Sequence, residues 1–274
     1  MELFFTHLLK SCFVLTLFLL AYLLFLRKET FFNANRLYLG LGVCTAVLLP
    51  FLEITHIVYI ERTPLQFLES STLLETLHPQ TTSTVVNFWV LLGIFYSVGV
   101  VVLSLRLFSQ FAQIWRIRRE SEVQRENSYY HVRTPLKIAP FSFFKHIFYH
   151  PKQFDKTDLN LIVAHEKVHA RELHSLDILF MEFLVILQWF NPLAWYYAGM
   201  VKQNLEFLAD HKTCRQQIDR KQYQYLMLNQ VLSHQNLTIV NPFFNSLTQL
   251  SLFGKKIPLG MAGGQIKKRI VMLH

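Results

Sequence analysis

Three long apolar stretches decide which solvent this chain must satisfy. Residues 12–26 (extending back to Leu3), 37–60 and 85–108 approach or exceed the roughly 20 helical residues needed to cross a hydrocarbon layer of about 30 Å. Within lipid no water meets the backbone N–H and C=O groups, so stretches of this kind must be helices. Three membrane-spanning helices are expected, the first with a polar outer end at His7 and Lys10. With 52% hydrophobic residues, 25 Phe and only 16% charged residues, the chain is too apolar, and too unevenly so, for a water-soluble globule. A cleaved leader explains the first stretch less well, because Arg27 and Lys28 follow Leu26 where a small-residue cleavage site would be needed.

Charges flanking the spans set orientation, since cytoplasmic loops carry the excess of Lys and Arg. Arg27, Lys28 and Arg36 follow the first span against Glu29, and Arg106, Arg116, Arg118, Arg119 and Arg125 gather at the end of the third. The intervening loop carries Glu61, Glu69 and Glu75 against Arg62. The N-terminus and the acidic loop are therefore expected outside, and residues 109–274 inside. Much of the formal charge of +9 sits beside the spans, where orientation and anionic lipid account for it, so direct nucleic-acid binding is not expected. Cys12, Cys44 and Cys214 are too scattered for a disulfide framework or a cysteine zinc site.

Residues 1–108 thus read as a three-span region and 109–274 as a folded domain. Residues 110–119 continue as a basic amphipathic helix, 129–133 and 136–139 read as short strands, and the aromatic segment 141–149 reads as a buried strand or loop, with a substrate-binding edge as the alternative. Thr157 and Asp158 mark a helix start, and that helix is expected to run to about His174. A further helical run over 176–190 is interrupted at Asn191 and Pro192 and resumes through Cys214, another helix covers 221–233, and a loop-like tail (234–264) ends in a short basic helix at 265–273. The fold class is a mainly α membrane protein with a small β element.

The first of these helices carries the string HEKVH. His165 and His169, four residues apart, lie on one helical face, so both imidazoles can reach one ion, and Glu166 stands where it can take a proton from water rather than bind the metal. A catalytic zinc site wants a third protein ligand. In the run NLEFLAD, Glu206 is the best candidate because Asp210 follows one turn later and can orient a ligand histidine through its other ring nitrogen. The competing structural readings are plain core or solvated histidines, an ordinary surface acid at Glu206, and an Asp210 paired with Arg171 or Lys212. His174, Asp177 and His211 are close in sequence without an assignable role.

Glu206 stands 37 residues after His169, which on one straight helix is roughly 55 Å. The chain must fold back, and Asn191-Pro192 is the natural turn, with arms of roughly 30 and 21 Å. The stretch 176–198 is apolar enough for a fourth span, yet a single crossing would put His165 and Glu206 on opposite faces of the bilayer. A hairpin over 176–214, packed against or dipping into the membrane, is expected instead, with Asp177, Glu182 and Gln188 facing protein.

The order of three spans, AHEKVHARELHSLD, WFNPLAW and NLEFLADHK resembles the BlaR/MecR-type antirepressor membrane metallopeptidases over nearly the whole chain. FFNANRLYL and the tail from NPFFNSL to IKKRI are similar to the branch found in Bacteroidota. The resemblance implies a gluzincin-like metalloprotease domain binding Zn2+ through His165, His169 and Glu206, with Glu166 as general base. It further implies a site at the inner face of a bacterial cytoplasmic membrane, signal-dependent cleavage of a cytoplasmic BlaI/MecI-type repressor or of the receptor itself, and membrane lipid as a second partner; a homodimer stays open. Sensor-type members continue into another span and an extracellular domain, whereas this sequence ends at His274, so β-lactam sensing is not carried over. The signal is then read by the acidic loop or a partner, or the chain is a truncated member. A non-catalytic transducer with a structural metal and a quality-control protease of the HtpX type are the alternatives.

Overall fold

The computed structural model describes residues 2–52, 88–215, 221–225, 269 and 272. Three helices among them are long and apolar enough to cross a membrane. The first, α1 (Glu2–Ala21), ends in a π-helical turn, Tyr22–Leu26; the second, α2 (Phe32–Leu48), ends in a 3-10 turn, Leu49–Phe51. The third, α3 (Phe88–Arg119), runs unbroken from the apolar stretch into the basic segment. Phe13, Leu17, Leu24, Phe95, Val98 and Leu105 point outward from α1 and α3, as a lipid-facing surface requires. Residues 53–60 of the second stretch, 85–87 of the third, the acidic loop and most of the tail lie outside the described residues.

After α3 come four strands, β1 (Glu122–Glu126), β2 (Tyr129–Arg133), β3 (Phe141–Phe143) and β4 (His146–Tyr149), in the order β1-β2-β4-β3. The β1–β2 and β3–β4 pairs are antiparallel and β2–β4 is parallel. Asn127 and Phe144 take positive φ of 53° and 50° at the two tight turns; Asn tolerates that conformation better than Phe does. The strand expected over 136–139 does not form. Pro135 and Pro140 bracket it, and its N–H groups are used locally, Leu136 donating to Thr134 Oγ1 (3.2 Å) and Ile138 to the Leu136 carbonyl (2.9 Å). β1 was not expected, since its residues are exposed and carry no apolar alternation.

Three long helices follow, α4 (Lys156–Arg171), α5 (His174–Leu187) and α6 (Pro192–Cys214), and residues 221–225 are helical as well. The helix expected to continue to His174 breaks earlier, because Leu173 adopts a left-handed conformation with φ of 55°. Arg36 of α2 holds this elbow, donating to the Glu172 carbonyl (2.9 Å) and to both Asp177 oxygens (3.2 and 2.7 Å). α5 and α6 form the expected hairpin, and α6 packs on α2, α4 and α5. Tyr197 donates to the Leu39 carbonyl (2.7 Å) and Asn204 to the Phe32 carbonyl (3.0 Å), so α6 is keyed to α2 by buried polar bonds. One apolar core joins Leu15 and Leu39 of the spans to Leu184, Tyr197 and Leu205 of the hairpin and to Phe141 and Phe148 of the sheet.

Candidate metal centre

The α4–α6 packing brings Glu206 to the two histidines of α4. His165 Nε2 and His169 Nε2 lie 3.1 Å apart, and Glu206 places Oε2 3.8 Å from the first and Oε1 3.8 Å from the second. With one Glu206 oxygen as ligand the three ligand atoms lie within 4.8 Å of one another, against roughly 3.4 Å between ligand atoms on a tetrahedral zinc at about 2.0–2.1 Å, so the set approaches the spacing such an ion needs.

The rings' other nitrogens point away from this centre to acceptors. Tyr223 Oη lies 2.7 Å from His165 Nδ1 and donates to Asp210 Oδ1 at 2.9 Å, while Asp210 Oδ1 is itself 3.3 Å from that Nδ1. Because the tyrosine proton is directed at Asp210, the tyrosine oxygen is left to accept from His165 Nδ1–H. That tautomer leaves the Nε2 lone pair free for a cation. His169 Nδ1 meets His174 Nδ1 at 2.9 Å. Metal binding through His169 Nε2 would require the shared proton on His169, which would make His174 the acceptor with its own proton on Nε2. That nitrogen is buried and finds no partner among the described residues.

Arg269 closes the other side. It donates to Asp210 through Nε and Nη2, both at 2.7 Å, and its Nη1 lies 3.0 Å from Glu206 Oε2. Burial would raise the Glu206 pKa, but Arg269, with His169, His165 and Lys202, outweighs it and holds the carboxyl at about 2. Burial lowers His169 to about 4 and His174 to about 2, keeping both rings neutral and able to donate a lone pair. Glu166, beside the cluster, is raised by burial, opposed by His165 and by a hydrogen bond from Ser142 of β3. A half-buried carboxylate raised in this way is suited to accept a proton and release it again.

The site residues expected from sequence thus converge: His165, His169 and Glu206 form a group of metal-ligand type, Glu166 flanks it and Asp210 reaches His165. Asp210 pairs with neither Arg171 nor Lys212; both lie against Glu172, at 3.8 and 2.8 Å. Asp177 belongs to the Arg36 clamp, and His211 packs on Phe32. Sequence reasoning missed His174 as the partner of His169, along with Tyr223 and Arg269. His174 sits five residues past His169, and its position depends on the unforeseen elbow; the other two carry no spacing signal.

No curated protein matches the sequence. The profile of the BlaR1 peptidase M56 family matches residues 53–249, which is more than half of the chain and includes HEKVH and Glu206. The chain therefore belongs to the BlaR1 peptidase M56 family of membrane metallopeptidases.

Proposed function

We propose that this protein is a zinc-dependent membrane endopeptidase of regulated proteolysis, cleaving a cytoplasmic transcriptional repressor in response to a signal received at the membrane. The observation that carries the reading is the convergence of His165, His169 and Glu206 beside a half-buried Glu166. Zinc held by those three residues supplies Lewis acidity toward a peptide carbonyl and toward water. His165 and His169, oriented through Nδ1, present unprotonated Nε2 atoms. Glu166 accepts the proton released as water attacks and delivers it to the departing amine nitrogen. Ser142 keeps the Glu166 carboxylate aligned and comes from β3, a sheet edge that an extended substrate can extend. Asp210 acts on the His165 tautomer through Tyr223, whose proton it accepts. The loop charges support an inward-facing site, and the repressor substrate follows from the family resemblance.

The test compares cells carrying the natural protein with cells carrying Glu166→Gln. Purified Glu166→Gln protein is expected to keep one zinc ion, and the cells to lack one repressor-derived cleavage product. A Glu166→Gln protein that still cleaves ends the assignment of Glu166, and one that is inert in cells without any missing product removes the proteolytic reading.

A further inference from the structure

The metal cluster is tied to three residues that neither ligate nor react. Tyr223 is only 2% exposed and Asp210 only 1%; with Arg269 they form a continuous set of bonds from His165 to Glu206. The set has one consistent arrangement of protons. Arg269 can only donate, Asp210 accepts from both Arg269 and Tyr223, and Tyr223 is left to accept from His165. At the other end, Arg269 lies 3.0 Å from Glu206 Oε2, which also faces His165 Nε2 at 3.8 Å, whereas Oε1 faces His169 Nε2 at 3.8 Å. The guanidinium therefore engages Oε2, and Oε1 is the freer oxygen for an ion.

We propose that Tyr223 and Arg269 are positioning residues of the metal centre: Tyr223 fixes the tautomer of His165, and Arg269 fixes which oxygen Glu206 offers to the ion. The inference rests on the zinc reading above and goes beyond it, since it makes the affinity of the site depend on residues 17 and 63 positions downstream of Glu206. Charge supports it as well. Asp210, Glu206 and Glu166 gather three carboxylates in a poorly hydrated place, and Arg269, with Lys202 near Glu206, offsets part of that charge. A guanidinium is also the group suited to this post, because its planar fork engages Asp210 through two nitrogens while a third reaches Glu206. A structural salt bridge would need Asp210 alone; the contact to Glu206 is what links Arg269 to the ion.

The experiment uses the full chain in detergent micelles, with Zn2+ affinity measured by competition against a chromophoric chelator and ligand geometry read from the visible spectrum of the Co2+-substituted protein. Tyr223→Phe removes one oxygen and keeps the packed ring. It is expected to weaken Zn2+ binding about 10- to 100-fold and to alter the Co2+ spectrum. Arg269→Ala is expected to weaken binding to a similar degree and to be partly restored by millimolar guanidinium ion, which refills the vacated place; Arg269→Lys, a point charge without the fork, falls between. Wild-type affinity and an unchanged Co2+ spectrum in Tyr223→Phe would overturn the role of Tyr223. Tighter binding by Arg269→Ala would show that Arg269 opposes the ion, and would overturn its role. Should Arg269→Ala fail to fold, Arg269→Lys carries that half of the test. The zinc reading fails separately: in that case the natural protein and His169→Ala would bind Zn2+ equally weakly.

Discussion

Replacing His174 tests the electrostatic logic of the centre at the point where it is least conventional. Its ring is 1% exposed and faces His169 nitrogen to nitrogen at 2.9 Å. If His169 is a ligand, its Nδ1–H needs His174 as acceptor, and His174→Ala leaves that donor buried without one. Loss of a hydrogen-bond partner behind a ligand histidine typically weakens metal binding 10- to 100-fold, about 1.4–2.7 kcal/mol at 25 °C. The metal-free protein should respond differently. Ala opens a cavity, but it also removes a buried ring nitrogen, Nε2, that finds no partner among the described residues, whose burial costs about 1–3 kcal/mol; the two effects oppose each other. His174→Asn is the informative control, because its Oδ1 can stand where Nδ1 stood and accept the same proton without an orphaned donor. The assay is chelator competition together with the difference in thermal midpoint with and without zinc. We expect Ala to lose most of the zinc-induced increase and Asn to keep it. Equal behaviour of Ala and Asn would refute the acceptor role, and wild-type affinity in both would remove His174 from the centre.

Chelator-treated protein should lose stability as pH falls from about 6.5. His169 and His174 are held at about 4 and about 2 against 6.5, so their contribution is complete above 6.5 and declines by about 1.4 kcal/mol per pH unit for each ring as the unfolded chain takes up protons. Glu206, at about 2 against 4.5, adds to the loss below 4.5, and Glu166, raised by burial, partly offsets it; urea midpoints across this range measure the sum, and a flat profile would refute the neutral-histidine cluster. Gly99→Ala should destabilise by about 1–3 kcal/mol, because its Cβ would collide with the Trp189 indole that donates to the Tyr96 carbonyl. Gly40→Ala, where a Cβ meets nothing within 4 Å, is the neutral comparison in the same thermal unfolding series.

What the sequence made legible follows from how local each signal is. HEKVH announces itself because two ligands one helical turn apart need nothing beyond the helix, and Glu206 could be found because a third ligand had to exist and only a fold-back at Asn191-Pro192 could deliver it. The Leu173 elbow could not be read: leucine is an ordinary helix former, and the left-handed conformation is held by Arg36, a partner 136 residues from Glu172. Edge strand β1 was invisible because a strand exposed on both faces needs no apolar alternation. Tyr223 and Arg269 reach the site by tertiary packing, and a lone Tyr or Arg has no spacing to betray it.

The hairpin shows why hydropathy alone misjudges the fourth apolar stretch. At its turn the chain abandons helix, and polar groups there find protein partners. Asn191 Oδ1 accepts from Leu193 N–H, Tyr96 donates to the Leu187 carbonyl, and Trp195 donates to the Trp189 carbonyl. Gln188 donates to Ser11 of α1 at 2.7 Å and accepts from Asn191 at 2.9 Å. Ser11 lies 15 residues before the end of the first apolar helix at Leu26, roughly 22 Å along its axis, against a hydrocarbon layer of about 30 Å. Were the turn to lie within lipid, its backbone would need protein partners, and α1 and α3 provide them. The same apolar helices that mark the chain as a membrane protein thus hold the turn of the α5–α6 hairpin, and the return along α6 is what sets Glu206 against His165 and His169.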